Sequence, residues 1–206
     1  HEINNPIAVM QGNLDVLRST IGDRAESVAT ELKLLDEQIH RINIIVTKLL
    51  QFAKPEEYAD FVTSHKPQDV VSDCLPLVKH LLQKVDISIE REDAANREIA
   101  MNRTELQQVL INLLVNAIHA MPDGGRLTVR TFDSDIEQRR GILIEVTDTG
   151  VGMSAEVLKK VFDPFFTTKR DGGTGLGLSI TQTLIERQYG RISVESKLGI
   201  GTTFSI

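Results

Sequence analysis

The sequence holds four groups of residues whose types and spacing can do chemistry. His1 and Glu2 stand side by side in HEINNP, with Asn5 one helical turn further on. An imidazole beside a carboxylate can act as a nucleophile: one ring nitrogen attacks while the carboxylate orients and basifies the other. The same pair also suits a solvated helix face, and these residues alone leave both readings open. A zinc-protease helix is excluded, because its second histidine would fall where the chain has Asn5.

The second group lies in QQVLINLLVNAIHAM. Asn112 and Asn116 are four residues apart on one face, and His119 follows on a neighbouring edge. Paired amides can hold a hard cation through their oxygens or a phosphate through their nitrogens, and they can also be merely solvated. Asparagine is a poor helix former, so two of them inside a strong helix point to a functional reason. The third group is EVTDTGVGM. Here Asp148 ends a strand and can accept a hydrogen bond from an exocyclic amine such as that of adenine, while Gly150 and Gly152 let backbone approach a flat ligand. The fourth is GGTGLGLSI, whose Gly173, Gly175 and Gly177 offer N–H groups to phosphates where a helix opens. A dinucleotide fingerprint would follow directly from a strand, whereas this segment follows the loop TTKRD. Between the last two groups, Phe162, Phe165 and Phe166 can anchor a loop from which Lys169 or Arg170 reaches a terminal phosphate.

Elements to position these groups are visible in the apolar spacing. Ile3, Ile7, Met10, Leu14, Leu17 and Ile21, then Val28, Leu32, Leu35, Ile39, Ile42, Val46, Leu49 and Ala53, alternate in steps of 4 and 3. That is a coiled-coil seam carried through two helices, and the short GDRAES link predicts an antiparallel hairpin. Two helices bury little alone, so pairing with a second copy into a four-helix bundle is expected; packing on the following domain is the other possibility. With Ile3 on the seam, His1, Glu2 and Asn5 point outward. Pro55 closes the hairpin, giving a helical domain at 1–54, a linker at 55–59 and a second domain at 60–206.

In that second domain helices are expected at 67–84, 104–121, 154–161 and 176–187, with strands at 86–91 and 98–101. RLTVRTF and GILIEVTD alternate as a hairpin, and RISVES and TTFSI close the chain. The fold class is α+β: the helical hairpin followed by a two-layer α/β sandwich with antiparallel strands and helices on one face. The 206 residues carry a net charge of −6, with 41% apolar and 25% charged residues, which excludes disorder and gives no support to nucleic-acid binding. The lone Cys74 can form neither an internal disulfide nor a cysteine zinc cluster. No apolar run is long enough to span a bilayer, so no membrane contact by this piece is expected. The chain opens on a histidine, so a longer parent with unseen sensor or anchoring segments is expected.

Taken in order, these motifs resemble the sensor histidine kinases of two-component signalling over nearly the whole chain. HEINNP resembles the phospho-acceptor box, the Asn112–Asn116 helix the N box, DTGVGM and GGTGLGL the two glycine boxes, and FDPFF the F box. The closing RISVESKLGIGTTFSI is similar to the family's C-terminal hairpin, and the short lid DPFFTTK resembles its nitrogen-regulation-type subgroup. The resemblance implies that His1 receives the γ-phosphoryl group of ATP, with Glu2 assisting its deprotonation. It implies that Asn116 holds Mg²⁺ with Asn112 nearby, that Asp148 reads adenine, and that Lys169 meets the phosphates. Gly150, Gly152, Gly173, Thr174, Gly175, Leu176, Gly177 and Thr202 would shape the pocket; His119 stands where other members carry Lys or Arg. Asn5 matches the position that orients water for dephosphorylating a response regulator. The implied partners are a receiver domain carrying an aspartate and a second copy joined through residues 1–54, with the catalytic portion in the cytoplasm.

The wider superfamily includes ATPases that place a Glu one turn before the metal-binding Asn. Here that position is Asn112, Gln107 and Gln108 are amides too, and Glu105 lies too far towards the N-terminus. An amide has no useful basicity, so water activation is disfavoured and transfer to an imidazole favoured. The competing expectations are a nucleotide-binding dimeric scaffold without catalysis, or a phosphatase-only sensor.

Overall fold

The computed structural model describes residues 4–21, 30–36, 39, 42, 46, 62–83, 85–136, 139–169 and 173–206. The chain divides into two units, His1–Tyr58 and Ala59–Ile206.

In the first unit α1 (Asn4–Ile21) is joined by a second helical stretch that includes residues 30–36, 39, 42 and 46. Ile7, Leu14, Leu32, Ile39 and Val46 form one buried cluster. These are alternate seam positions. Met10, Leu17, Leu35 and Ile42, which fall between them, are 43%, 49%, 52% and 41% exposed. One neighbouring helix covers only one side of a heptad seam, so a lone hairpin closes half of it. Gln11 ties the two helices by donating from Nε2 to Asp36 Oδ1 at 2.8 Å. His1 and Glu2 lie outside the described residues, and Asn5 is described only through its backbone, in the first turn of α1.

The second unit opens with β1 (Thr63–His65), followed by α2 (Pro67–Leu82), β2 (Ile87–Ala94) and β3 (Ile99–Met101). Proline at the first position of α2 is placed where its missing N–H costs nothing. Next comes α3 (Arg103–Ala120), then the hairpin β4 (Gly125–Ile136) and β5 (Arg139–Asp148). The short α4 (Ala155–Leu158), α5 (Gly177–Arg187), β6 (Ser193–Lys197) and β7 (Gly201–Ser205) complete the unit.

Asn102 starts α3, its Oδ1 accepting the Glu105 N–H at 2.9 Å. The apolar face of α3 (Leu106, Val109, Leu110, Leu113, Leu114, Ala117, Ile118) is 3% exposed or less throughout. It packs on the sheet, with α2 and α5 on either flank. The sheet order is β2-β4-β5-β7-β6, with Leu127, Val129, Thr131, Ile144, Val146, Asp148, Thr202 and Phe204 buried. The opposite face carries charges such as Arg130, which meets Glu92 at 3.0 Å. The last strand in chain order is not at an edge: β7 lies between β5 and β6, and Ile206 and Ile144 exchange backbone hydrogen bonds at 2.9 Å.

Two features differ from expectation. First, β2 runs parallel to β4, because β3 and α3 intervene and return the chain to the same end of the sheet. Second, the strand expected at 98–101 is β3, and it forms a small antiparallel sheet with β1, Thr63 opposite Met101, where no element was expected at 63–65. The short helix is also tighter than the expected 154–161: Ser154 caps it, and it gives way to turns after Leu158.

Glu105, 6% exposed, clamps the start of α3 to the end of α5, accepting from Arg187 Nη1 at 3.3 Å and Gln188 Nε2 at 3.2 Å. Replacing Glu105 by Ala strands both donors and is expected to destabilise the chain by about 1–3 kcal/mol. Urea unfolding measures this directly; a change within experimental scatter would mean that the clamp is energetically idle.

Candidate functional site

Three successive turns of α3 each meet one of the sequence motifs. At the first, Asn112 donates from Nδ2 to the Gly177 carbonyl at 3.3 Å and to Thr181 Oγ1 at 3.4 Å, joining α3 to the opening turn of α5. At the second, the Lys169 ammonium donates to Asn116 Oδ1 at 3.4 Å and to His119 Nδ1 at 2.9 Å. Lysine has donors only, so Nδ1 of His119 must be the unprotonated nitrogen. Partial burial first, and the Lys169 charge second, hold this imidazole below its ordinary pKa. At the third, Val151 donates its N–H to the Ala120 carbonyl at 2.9 Å, where α3 ends. Gly150 lies so close to this carbonyl that a Cβ there would overlap it.

Asp148 ends β5 and is 4% exposed. Its Oδ1 accepts the Gly150 N–H at 2.8 Å, and the Thr202 N–H also reaches the carboxylate. Burial pushes its pKa up, and the two backbone donors pull against that. A carboxylate offers about four acceptor sites, so acceptors remain for an amine. Gly152 follows, packed against the Lys197 carbonyl, and Gly199 N donates to Val151 O at 2.7 Å. The turn between β6 and β7 therefore holds the glycine loop from its other side.

On the lid, Phe162 meets Phe204 edge-on with ring centroids 6.4 Å apart, and Phe166 is half-buried. Phe165 does not anchor the loop as expected. Its ring is 64% exposed and its backbone is left-handed, with φ 66°. Its main chain lies directly against Gly175, whose φ is also left-handed at 67°, so the two ends of the lid meet backbone to backbone. Gly173 sits beside Thr167 and Lys169. Thr174 Oγ1 accepts the Leu176 N–H at 3.4 Å, and Leu176 is buried at the start of α5. Arg170, the other cation considered for phosphate, lies outside the described residues.

Sequence reasoning missed Ser196. Its Oγ lies 2.9 Å from the Met153 N–H, 3.0 Å from the Gly201 carbonyl and 2.9 Å from Thr202 Oγ1. A serine in a strand gives no signal of its own; only the pairing of β6 with β7 brings it to the glycine loop.

Among the described residues no group of three or more His, Cys, Asp or Glu could cage a metal. Asn116 Oδ1 instead faces a cationic ammonium, so it suits a cation that takes one protein oxygen and completes its shell with phosphates and water. Mg²⁺ binds in that way. Also among the described residues, no helix is long and apolar enough to cross a membrane.

Residues 101–206 match the family described as histidine kinase-, DNA gyrase B-, and HSP90-like ATPase, and residues 1–58 match the His Kinase A (phospho-acceptor) domain. Sporulation kinase E of Bacillus subtilis (strain 168) is 35% identical over 211 residues, covering 100% of this chain and 27% of its own length. Sensor histidine kinase ZraS of Salmonella typhi is 33% identical over 209 residues, again 100% of this chain but 43% of its own. The chain thus spans less than half the length of either relative. Among solved structures, histidine kinase ThkA in complex with response regulator protein TrrA is similar over 100% of this chain and 57% of its own. That likeness has 28% identity and a TM-score of 0.66. The catalytic domain of ThkA alone is similar over 71% of this chain and 93% of its own, at 29% identity and a TM-score of 0.59. A phospho-acceptor segment leading into an ATPase segment distinguishes one branch of this superfamily, and the chain belongs to it: a sensor histidine kinase of two-component signalling, within the histidine kinase-, DNA gyrase B-, and HSP90-like ATPases.

Proposed function

We propose that this chain is an ATP:protein-histidine phosphotransferase. Residues 1–54 carry the phospho-acceptor, residues 55–59 link, and residues 60–206 bind ATP. A ring nitrogen of His1 attacks the γ-phosphorus, the bond to the ADP oxygen breaks, and Glu2 takes up the hydrogen bond from the opposite ring nitrogen. The phosphoryl group then passes to an aspartate of a response-regulator receiver domain. Asn5 orients the water that later removes it, so the chain is also a regulator phosphatase. Asp148 and Thr202 take the base, and the glycine loops with Thr174 and Leu176 frame the nucleotide. Lys169 and His119 lie at the phosphate end. Mg²⁺ held by Asn116, with Asn112 beside it, neutralises phosphate charge when bound. We assign this work to the cytoplasm, where ATP is supplied.

The observation that carries this reading is what stands in place of a hydrolytic base. Asn112 has an amide committed to Gly177 and Thr181, and the only acid in α3, Glu105, is committed to Arg187 and Gln188. Neither can take a proton from water, which favours an imidazole acceptor over hydrolysis. Incubation of the chain with Mg²⁺ and γ-labelled ATP is expected to give a protein-bound label that is acid-labile and base-stable. Nucleotide binding with no label at all would instead leave a scaffold or a phosphatase-only sensor.

Dimerisation through residues 1–54 belongs to the same proposal. The exposed seam positions Met10, Leu17, Leu35 and Ile42 are what a second hairpin would cover. Burying the exposed half of such side chains stabilises by roughly 1 kcal/mol each. Leu35→Glu is therefore expected to convert a dimer into a monomer at micromolar concentration. Sedimentation equilibrium reads the result, and a wild-type chain that sediments as a monomer would sink the idea.

A further inference from the structure

Ser196 lies outside every motif, yet its hydroxyl ties β7 to the glycine loop that follows β5. A serine hydroxyl has one proton and two lone pairs. The Met153 N–H, 2.9 Å away, can only donate, and the Gly201 carbonyl, 3.0 Å away, can only accept. Ser196 therefore gives its proton to Gly201 and one lone pair to Met153. The second lone pair faces Thr202 Oγ1 at 2.9 Å, and only the Thr202 proton can fill it. Were Ser196 to donate to Thr202 instead, its lone pair would face that of Gly201 with no proton between them.

Thr202 has then spent its only proton and keeps lone pairs alone. It stands opposite Asp148 in the β5–β7 register, the two side chains 5% and 4% exposed. Building on the assignment of Asp148 to the base, we infer that Ser196 is a specificity-positioning residue. By fixing the direction of the Thr202 hydroxyl it makes Asp148 and Thr202 an acceptor-only pair, one that takes a purine with a 6-amino donor and refuses one with a 6-oxo acceptor.

ATP and inosine triphosphate differ along this edge: adenine has a 6-amino donor beside an N1 acceptor, hypoxanthine a 6-oxo acceptor beside an N1–H donor. Titration calorimetry of the chain with each nucleotide is expected to favour ATP by about a hundredfold. In Ser196→Ala the Thr202 hydroxyl is free to turn and donate to the 6-oxo group, and the preference falls about tenfold. Ser196→Thr, which keeps the hydroxyl, retains it. Thr202→Val is the companion variant should Ser196→Ala not fold, and it is expected to lower the ratio as well. A ratio unchanged in Ser196→Ala or Thr202→Val, or both nucleotides weakened equally, would overturn the inference, since that is what a merely structural serine does. Asp148→Asn separates the two levels. Discrimination that Asp148→Asn removes but Ser196→Ala leaves intact overturns the role of Ser196 alone. Equal binding of both nucleotides by the unaltered chain overturns both.

Discussion

His1→Gln is expected to remove the acid-labile label entirely, at least roughly a thousandfold in rate, while ATP binds as before. Glutamine is a good helix former of similar reach, and the seam spacing puts position 1 on the outer face, so the bundle has no reason to change. What is lost is the ring nitrogen, and an amide cannot replace it as a nucleophile. The chain has five histidines, which makes the outcome informative. His65 is engaged by Thr63 and Arg103, and His119 by Lys169. Label of unchanged stability persisting on the variant would shift the acceptor to another histidine, with His40, in the same unit as His1, the first to test.

A second large effect is expected at Asp148, where binding and stability move in opposite directions. In Asp148→Asn the Oδ1 can still accept the Gly150 N–H, but an NH₂ now confronts the amine of adenine. Loss of a charge-assisted bond, with a donor facing a donor, lowers ATP affinity by about a hundredfold. The nucleotide-free protein behaves differently. Burial raises the Asp148 pKa above its ordinary 3.8, so as pH rises the unfolded chain releases this proton first. Stability from this group is therefore fullest below 3.8 and declines as pH climbs through the folded value. The substituted amide has no charge to desolvate, so the variant melts higher than the parent at neutral pH and loses that advantage in acid. Thermal melts at both pH values measure it; a variant less stable than the parent at neutral pH would show that the carboxylate's backbone hydrogen bonds outweigh its burial.

How much of this was legible from sequence depends on the range of the interactions involved. The apolar face of α3 repeats every three and four residues, and a pattern that local survives into the fold without change. The β4–β5 hairpin was equally plain from the alternation of RLTVRTF and GILIEVTD, though both strands run further than that alternation marks. The direction of β2 was not, because parallel pairing is decided by a long crossover through β3 and α3 rather than by the strand itself. β1 is three residues long and has no periodicity to read; its existence depends on finding β3. In the site, Asn112, Asn116 and Asp148 announced themselves as residues that conflict with the element carrying them. Ser196 conflicts with nothing, and its importance comes from partners five and six residues downstream and forty-three upstream. Among the described residues the seam follows the spacing read from the sequence, but its division into a buried half and an exposed half is a property of two helices, not of either sequence alone.

The central place of β7 bears on how the protein is made. Thr202, which faces Asp148, sits on the strand that leaves the ribosome last of the seven described, and that strand must dock on β5, bringing β6 to the sheet with it. Until it does, β5 has an open flank and the base-reading pair is missing one member. On the proposed function, a nascent chain would thus carry its phospho-acceptor segment long before it could hold ATP. On that same function, synthesis order would leave the unfinished chain unable to phosphorylate itself until the sheet has closed.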